Sequence, residues 1–307
     1  MAKQAMSKTE LYAGWKGGRV VVADQPLSAG ARWWVDDATG SNAAGWGMSP
    51  SRPFATIDYA IGNCTASKGD IIYVMPAHEE TIASALGCVL DVEGVCVIGL
   101  GYGRQIPKLT LSALASTISI TAASCMLKNI NVFTSATDGV TTGITIGADA
   151  DGFVLEDLVM TETAATEEFL IGISIAAACT DGRISGLKYY GTPGGTTSSA
   201  IVLVGAADRL IIENCYINVD ASSSVILGTG AKSLGVWIHH NEVINVDDGA
   251  GLGIDLNDTT TGFMNDNRAT GNLNTVEMFT GNLMCYCENY SSNAFNVQGI
   301  LRPVVDS

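Results

Sequence analysis

Short apolar runs alternate with polar turn residues along almost the whole chain. Runs of Val, Ile and Leu, such as Ile71–Val74 and Leu210–Ile212, are separated by Gly, Ser, Thr, Asn and Asp. This spacing is typical of many short strands joined by turns. No apolar run approaches the length of about 20 residues that a membrane-spanning helix needs. We therefore expect many strands and no membrane insertion.

From about residue 120 a six-residue unit recurs. Its first position is apolar, its third is Asn, Asp or Gly, its sixth is usually apolar, and the other three positions are variable. The residues at the third position are, in chain order, Asn129, Asp157, Gly186, Asn214, Asn241, Asn267 and Asn289. The steps between them are 28, 29, 28, 27, 26 and 22 residues. A step of this regularity predicts a stack of coils, because one coil cannot bury its apolar face without its neighbours.

A second strand keeps phase with this unit. Ile146, Ile175 and Leu203 each lie nine residues before the first apolar position of a unit. Two phased strands predict an all-β fold, a right-handed single-stranded parallel β-helix with coils of about 22–30 residues. Leucine-rich repeats are excluded because their Leu-x-x-Leu-x-Leu frame is missing. Helical repeats are excluded because no unit has a 3.6-residue apolar period.

Asn repeated at one turn position can form a ladder, in which each amide side chain satisfies the next. We predict a structural ladder of Asn129, Asp157, Asn214, Asn241, Asn267 and Asn289. The clearest pair of repeats is 214–220 with 241–247, which we align residue for residue. This alignment predicts that His239 points inward, at the position that Ile212 holds one coil earlier.

The N-terminal third indicates how the stack begins. Phe54, Ile57, Ile61 and Cys64 fall on one face of a helix, which we expect to cap the unpaired strand edges of the first coil. The predicted organisation is an N-terminal arm over 1–30, a first strand and capping helix over 31–76, the β-helix over 77–300 and a tail over 301–307.

Three segments carry a resemblance to a known family: 33–41, 53–57 and 69–74. Together they read aromatic-Val-Asp, Gly-Ser, Pro-Phe-x-Thr-Ile and Gly-Asp-x-Ile-x-Val. This stretch resembles the beginning of pectate-lyase-like β-helix proteins, which include bacteriophage tail spikes, other virion proteins and secreted glycan-active enzymes. The resemblance implies the fold and, through its virion members, a homotrimer. It does not select a function, because one fold hosts many activities.

Composition narrows the function. Hydrophobic residues make up 47% of the 307 and charged residues 15%, which disfavours disorder. The net charge of −15 disfavours nucleic acid as a partner. The first eight residues have no apolar core, so we expect no signal peptide and synthesis in the host cytoplasm.

The cysteines point away from metal chemistry. Most of the eight lie in apolar runs and are predicted to be small buried hydrophobes, namely Cys96, Cys125, Cys215, Cys285 and Cys287. Cys285-x-Cys287 has no second pair and no nearby His. No metal and no cofactor are predicted.

Candidate catalytic residues are few. A calcium-assisted lyase needs clustered carboxylates with a basic residue nearby, and Glu156, Asp157 and Glu213 are the candidates. The coil between them offers Ser185 and Gly186, which interrupts the acidic cluster. The motifs of a polygalacturonase are missing.

The sequence therefore favours a structural role over catalysis. The predicted function is a bacteriophage virion protein, either a capsid decoration or a spike, docked onto capsid or tail proteins through Trp15, Lys16 and Arg19 of the arm. The alternative is a tail-spike glycan depolymerase or polysaccharide lyase that acts on host surface polysaccharide. A third reading is a non-catalytic glycan-binding spike with contacts at Tyr189, Tyr190 and Tyr216.

Overall fold

The computed structural model describes residues 30–247, 251–271 and 278–291. Over these residues the chain forms an all-β parallel solenoid with little helix, which confirms the predicted β-helix. Its three long sheets are named A, B and C in the order in which each coil visits them. No helix in the described part is long and apolar enough to cross a membrane. The predicted anchoring residues Trp15, Lys16 and Arg19 lie outside the described residues.

Each sheet is parallel throughout, and its strands come from successive coils. Sheet A contains Arg32–Val35, Ile71–Val74, Cys96–Gly99, Met126–Lys128, Val154–Glu156, Arg183–Ser185, Ile211–Glu213, Val236–His239, Gly262–Asn265 and Met284–Cys287. Sheet B contains Glu79–Ile82, Lys108–Leu111, Asn131–Thr134, Val159–Thr161, Lys188–Tyr190, Tyr216–Val219, Glu242–Asn245, Arg268–Gly271 and Tyr290–Ser291. Sheet C contains Val89–Leu90, Ile118–Ile120, Val140–Ile146, Phe169–Ile175, Ser199–Leu203, Ser224–Gly228, Leu252–Asp255 and Phe279–Thr280. A short extra pair joins Cys179–Thr180 to Ala207–Asp208.

The core is a set of apolar columns that run along the solenoid. In sheet A, Leu127, Leu155, Ile184 and Ile212 pair in register and are almost fully buried. Alternate residues of each strand point inward, so every coil adds one layer to each column. The apolar runs seen in the sequence are these layers.

The corner between sheets A and B has a fixed form. From residue 129 onward it is two residues long in every described coil, and the first of the two has a left-handed backbone. The residues at this first position are Asn129, Asp157, Gly186, Asn214, His240, Asp266 and Glu288, with φ between 52° and 67°. Gly, Asn and Asp tolerate this conformation best, which is why they mark the repeat.

The six residues of the predicted ladder occupy two different positions. Asn129, Asp157 and Asn214 are first corner residues. The other three, Asn241, Asn267 and Asn289, are second corner residues, whose side chains are buried. Tyr216 pairs with Glu242, so Asn241 stacks on Cys215. The residue-for-residue alignment of 214–220 with 241–247 is therefore wrong by one position.

The three buried asparagines form a continuous amide chain. Nδ2 of Asn241 donates to Oδ1 of Asn267 at 3.0 Å, and Nδ2 of Asn267 donates to Oδ1 of Asn289 at 2.9 Å. Each amide also donates to a main-chain carbonyl of the preceding coil, at 2.7–2.9 Å. Asn241 and Asn267 each donate two hydrogen bonds in this way, so a polar column replaces the apolar column of earlier coils with the amide donors of these two residues satisfied.

The N-terminal end of sheet C is covered by a helix that spans Ile57–Ile61, shorter than the stretch predicted from the sequence. Thr56 caps it, since its side chain accepts from the main-chain N–H of Tyr59. Oδ1 of Asp58 accepts from the N–H of Val89, on the edge strand of sheet C, at 3.1 Å. A 3₁₀ turn at Gly103–Gln105 completes the helical content of the described residues.

Candidate functional site

Polar side chains from consecutive coils gather outside the A–B corner near the C-terminal end of the described solenoid. They form three columns: Glu213, His239 and Asn265 on sheet A; Asn214, His240 and Asp266 at the corner; and Tyr216, Glu242, Arg268 and Tyr290 on sheet B. Neighbouring coils are about 4.8 Å apart. One extended ligand can therefore contact several coils at once.

A cavity of about 500 Å³ opens at this corner. It is lined by Asn214, His240, Asn241, Glu242, Asp266, Arg268 and Tyr290. Its volume is in the range of small-ligand sites, and its lining combines charged groups, amides and one aromatic ring. We call it the corner cavity.

Arg183 and His239 share the carboxylate of Glu213. The guanidinium of Arg183 donates to Oε1 through both Nε, at 2.7 Å, and Nη2. Nε2 of His239 lies 3.2 Å from Oε2. Both the Glu213 and the His239 side chains are largely buried. Burial lowers the pKa of His239 more than the attraction of Glu213 raises it, so this imidazole is neutral at neutral pH.

His239 and His240 are in direct contact, with their Nδ1 atoms 2.7 Å apart. From strand alternation, the two side chains of adjacent residues are expected on opposite faces. They meet because His240 is the left-handed first corner residue and is no longer part of the strand. The inward position predicted for His239 is wrong, since His239 pairs with Glu213 on the outer face and Ile238 pairs with Ile212.

Asp266 closes the far side of this cluster. Its Oδ2 lies 3.8 Å from Nε2 of His240 and accepts from Nδ2 of Asn265 at 2.6 Å. Asn265 in turn accepts from Nε1 of Trp237 at 2.7 Å. These bonds fix the orientation of the carboxylate. Trp237 and Phe263 leave two exposed rings on the sheet A side.

Arg268 differs from the other arginines on these coils. Arg183 is paired with Glu213 and Arg209 with Asp181. Arg268 makes no ion pair within the described ranges, although it lines the corner cavity. Its guanidinium is therefore available to an anionic ligand.

Of the predicted catalytic candidates, only Glu213 borders this cluster. Glu156 lies two coils away with Ser185 between them. It is bound to Lys128 at 2.7 Å, and Asp157 lies 3.8 Å from the same ammonium. Sequence reasoning missed His240 and Asp266, whose corner positions follow only from the corrected register. It also missed Arg268, which begins the next strand of sheet B.

The three tyrosines proposed as glycan contacts do not share one environment. Tyr189 is fully buried, and its hydroxyl donates to Oε1 of Glu162 at 2.7 Å. Tyr190 and Tyr216 lie on the outside of sheet B with their ring centroids 5.8 Å apart. Tyr189 is therefore a core residue, because it points inward on sheet B, and only the other two remain as surface contacts.

A second group with metal-ligand chemistry lies near the N-terminal end and consists of Asp36, Asp37 and His78. His78 is fully buried, and its Nδ1 accepts from the main-chain N–H of Asp37 at 2.9 Å. Its Nε2 lies 3.2 Å from Oε2 of Glu80. Both ring nitrogens of His78 thus contact other groups of the protein, and we interpret this group as structural.

The cysteines follow the prediction only in part. Cys125 and Cys215 are buried, and Cys96 is half-buried. Cys285 and Cys287 are exposed. They occupy outward positions on the last described strand of sheet A, in register with Phe263 and Asn265.

Comparison with known proteins supports the fold. No family model matches the chain, and no curated protein does. A solved rhamnogalacturonan lyase aligns over 86% of this chain and 74% of its own, with 13% identity and a TM-score of 0.67. A GH136 lacto-N-biosidase from Eubacterium ramulus aligns over 85% of this chain, with 10% identity and a TM-score of 0.54, and this chain spans 60% of its length. Identities this low show a shared pectate-lyase-like β-helix fold and nothing finer.

Proposed function

We propose that this protein binds a uronate-containing polysaccharide along the A–B corner and cleaves it by β-elimination. The observation that carries the proposal is the Arg268 guanidinium, which lines the corner cavity beside His240 and Tyr290 and has no ion pair in the described part of the chain. A guanidinium recognises a carboxylate by paired hydrogen bonds. Two structures that share the fold are by name a lyase and a biosidase, which supports a carbohydrate substrate.

The charge around the cavity favours a polymer with separated uronates. The chain carries a net charge of −15, and Glu242 and Asp266 line the cavity together with Arg268. A densely charged polyanion is repelled by such a surface. The Arg268 guanidinium in the cavity lining can pair with one carboxylate. The preferred substrate therefore has uronates that alternate with neutral sugars.

In β-elimination a base removes the proton from the carbon next to the uronate carboxylate. The electron pair of that C–H bond forms a carbon–carbon double bond, and the glycosidic C–O bond at the next carbon breaks. The leaving oxygen takes a proton from water. Arg268 would stabilise the negative charge that builds on the carboxylate while the proton leaves.

The test compares polysaccharides with alternating uronates, a homopolymer of uronate and a neutral polymer. We expect the unsaturated product, detected by its ultraviolet absorbance, from the first class. Arg268→Gln is expected to lower kcat/KM about 100-fold. Arg209→Gln is the matched control, because its guanidinium is already bound to Asp181. New reducing ends without the absorbance would show hydrolysis and overturn the proposed elimination, and the absence of any cleavage product would overturn the proposal as a whole.

A second candidate is a virion structural protein, either a capsid decoration or a spike. It rests on the resemblance of residues 33–74 to β-helix proteins that include virion members, with the 1–30 arm carrying Trp15, Lys16 and Arg19 as the anchor. A homotrimer attached to capsid or tail proteins belongs to this candidate. Light scattering of the purified chain tests the trimer. Negative-stain imaging of particles with and without the protein tests a virion location, and unchanged particles would reject it.

A further inference from the structure

The protonation of the His239–His240 pair follows from its contacts. A hydrogen bond between two Nδ1 atoms at 2.7 Å needs one protonated and one bare nitrogen. Nε2 of His239 faces Oε2 of Glu213, a carboxylate oxygen, at 3.2 Å. It must therefore carry the hydrogen, because a bare nitrogen would set two lone pairs against each other. In the neutral ring Nδ1 of His239 is then the acceptor, and Nδ1 of His240 is the donor.

The alternative protonation states of His239 conflict with its surroundings. If His239 were an imidazolium, it could donate from both nitrogens, but burial lowers its pKa and disfavours that form. The positive charge of Arg183, bound to the same carboxylate, also opposes it. If Nδ1 of neutral His239 were the donor, its bare Nε2 would face Glu213.

From this chain of contacts we infer that Nε2 of His240 is a bare nitrogen that opens into the corner cavity and serves as the general base for the bound sugar. Glu213 and His239 are positioning residues, which hold His240 in the tautomer with hydrogen on Nδ1. The inference rests on the proposed function and deepens it, because it makes the cavity a catalytic site. A neutral imidazole is a suitable base for proton removal near neutral pH.

The charged groups around His240 support this role. Asp266 lies 3.8 Å from Nε2, too far to occupy it with a hydrogen bond but close enough to stabilise the imidazolium after proton transfer. Glu242 and Arg268 line the same cavity with opposite charges. The charges of Arg183 and Glu213 act behind His239 and largely offset each other. The proton from the substrate carbon therefore reaches a nitrogen that has a carboxylate 3.8 Å away.

The first experiment needs no substrate. The chain has three histidines, so ¹⁵N-labelled histidine gives a spectrum simple enough to assign with single variants. At neutral pH we expect His240 as the Nδ1–H tautomer and His239 as the Nε2–H tautomer. Glu213→Gln is expected to disturb both, because an amide can also donate to Nε2 of His239. A wild-type spectrum with hydrogen on Nε2 of His240 would overturn the inference.

The second experiment uses the polysaccharide that the wild-type protein cleaves. His240→Gln is expected to lower kcat by 10²–10⁴-fold, the usual contribution of a general base, with a smaller effect on Kd. His239→Gln and Glu213→Gln are expected to lower kcat less and to alter its pH profile, because they act through His240. Glu156→Gln, on a distant coil, is the control.

The two proposals fail in different ways. If the wild-type protein cleaves the polymer and His240→Gln cleaves it equally well, the general base is wrong and the lyase activity stands. If the wild-type protein cleaves nothing, the proposed function fails, and the tautomers seen by NMR still decide the protonation state of the pair.

Discussion

The amide of Asn241 lies directly beneath that of Asn267, and the two are joined by a 3.0 Å hydrogen bond from Nδ2 to Oδ1. Oδ1 of Asn267 also accepts from the main-chain N–H of Asn241 at 3.2 Å. One side chain of each later coil thus satisfies both the main chain and the side chain of its neighbour. The coils are thereby held in register at the corner that carries the candidate site.

Asn267→Leu should destabilise the protein strongly. Asn267 is fully buried, and its replacement would remove one hydrogen bond from each of the Asn241 and Asn289 amides. It would also remove the bonds that the Asn267 side chain makes to the main-chain N–H of Asn241 and the carbonyl of Ile238. We expect a loss of about 3 kcal/mol in the free energy of unfolding, measured by urea denaturation. Asn218→Ala is the control, because this half-buried residue makes no side-chain hydrogen bond in the described part of the chain. Equal effects of the two changes would contradict a stabilising ladder.

Gly186 tests the backbone of the corner. Its φ of 67° is left-handed, and an added Cβ would lie 2.6 Å from Oδ1 of Asp157. Gly186→Ala should cost about 1–2 kcal/mol. Gly186→Asn should cost less, since Asn129 and Asn214 adopt the same conformation on other coils. Both variants add the same Cβ. If thermal denaturation shows equal losses of stability, crowding by this Cβ and not the left-handed φ determines the destabilisation.

Arg183→Gln should raise the pKa of His239. The pKa of this imidazole is lowered first by burial, while Glu213 attracts a proton to it and Arg183 repels one. Removal of the guanidinium leaves the full charge of Glu213 facing the ring. NMR titration of His239 should show protonation at higher pH than in the wild type. The control is Arg209→Gln, because the wild-type Arg209 guanidinium binds Asp181 on another part of the surface. This variant should leave the titration of His239 unchanged. A lowered pKa of His239 in Arg183→Gln would contradict the repulsion that we assign to Arg183.

Glu162 should give the protein a measurable pH dependence. Burial raises the pKa of the Glu162 carboxyl above its ordinary value, although Tyr189, Thr192 and Thr197 donate hydrogen bonds to it. For a raised pKa, the stabilising contribution is full below the unfolded value and is lost as the pH rises through the folded value.

Glu162→Gln lacks this titration, which defines the measurement. The difference in free energy of unfolding, wild type minus variant, should therefore be larger at about pH 4.5 than at about pH 7. Urea denaturation at the two pH values measures it, and comparison with the variant removes the contribution of the other carboxylates. A difference that grows with pH would reverse the sign and contradict the prediction.

The cysteines should separate sharply in reactivity. Cys285 and Cys287 are exposed. The pKa of the Cys125 thiol is raised to about 11 and that of Cys215 to about 12, in both cases by burial. Because the thiolate is the reactive form, a disulfide reagent should titrate the exposed pair quickly and the buried thiols only after unfolding. The double variant Cys285→Ser, Cys287→Ser should lose the fast phase, and a fast phase that persists would contradict this assignment.

The fold could be predicted because the repeat is set by local chemistry. Left-handed corner residues select Asn, Asp and Gly, so Asn129, Asp157, Gly186 and Asn214 mark four successive coils. The apolar positions on either side must alternate inward and outward. These two constraints define the coil length and the sheets without any long-range information.

The cluster at the candidate site could not be predicted, because the residue type at the first corner position changes from one coil to the next. After Asn214 the left-handed corner residues are His240, Asp266 and Glu288, while the asparagines move one position on and turn inward. The sequence similarity of 214–220 to 241–247 therefore suggested a register that was off by one residue, and such a slip exchanges the two faces of a strand. This register predicts that His239 lies in the core, and it does not bring the cluster around His240 together.

The two-residue corner has a consequence for how such chains can vary. From residue 129 onward, the corner length is constant in the described coils, whereas the connections from sheet B to sheet C range from four to eight residues. Insertions and deletions can thus accumulate on the far side of sheet B while the corner side chains keep their spacing of one coil. Relatives of this protein could differ widely in length and still present the same array to a ligand, so changes in ligand preference would come from point substitutions at the corner.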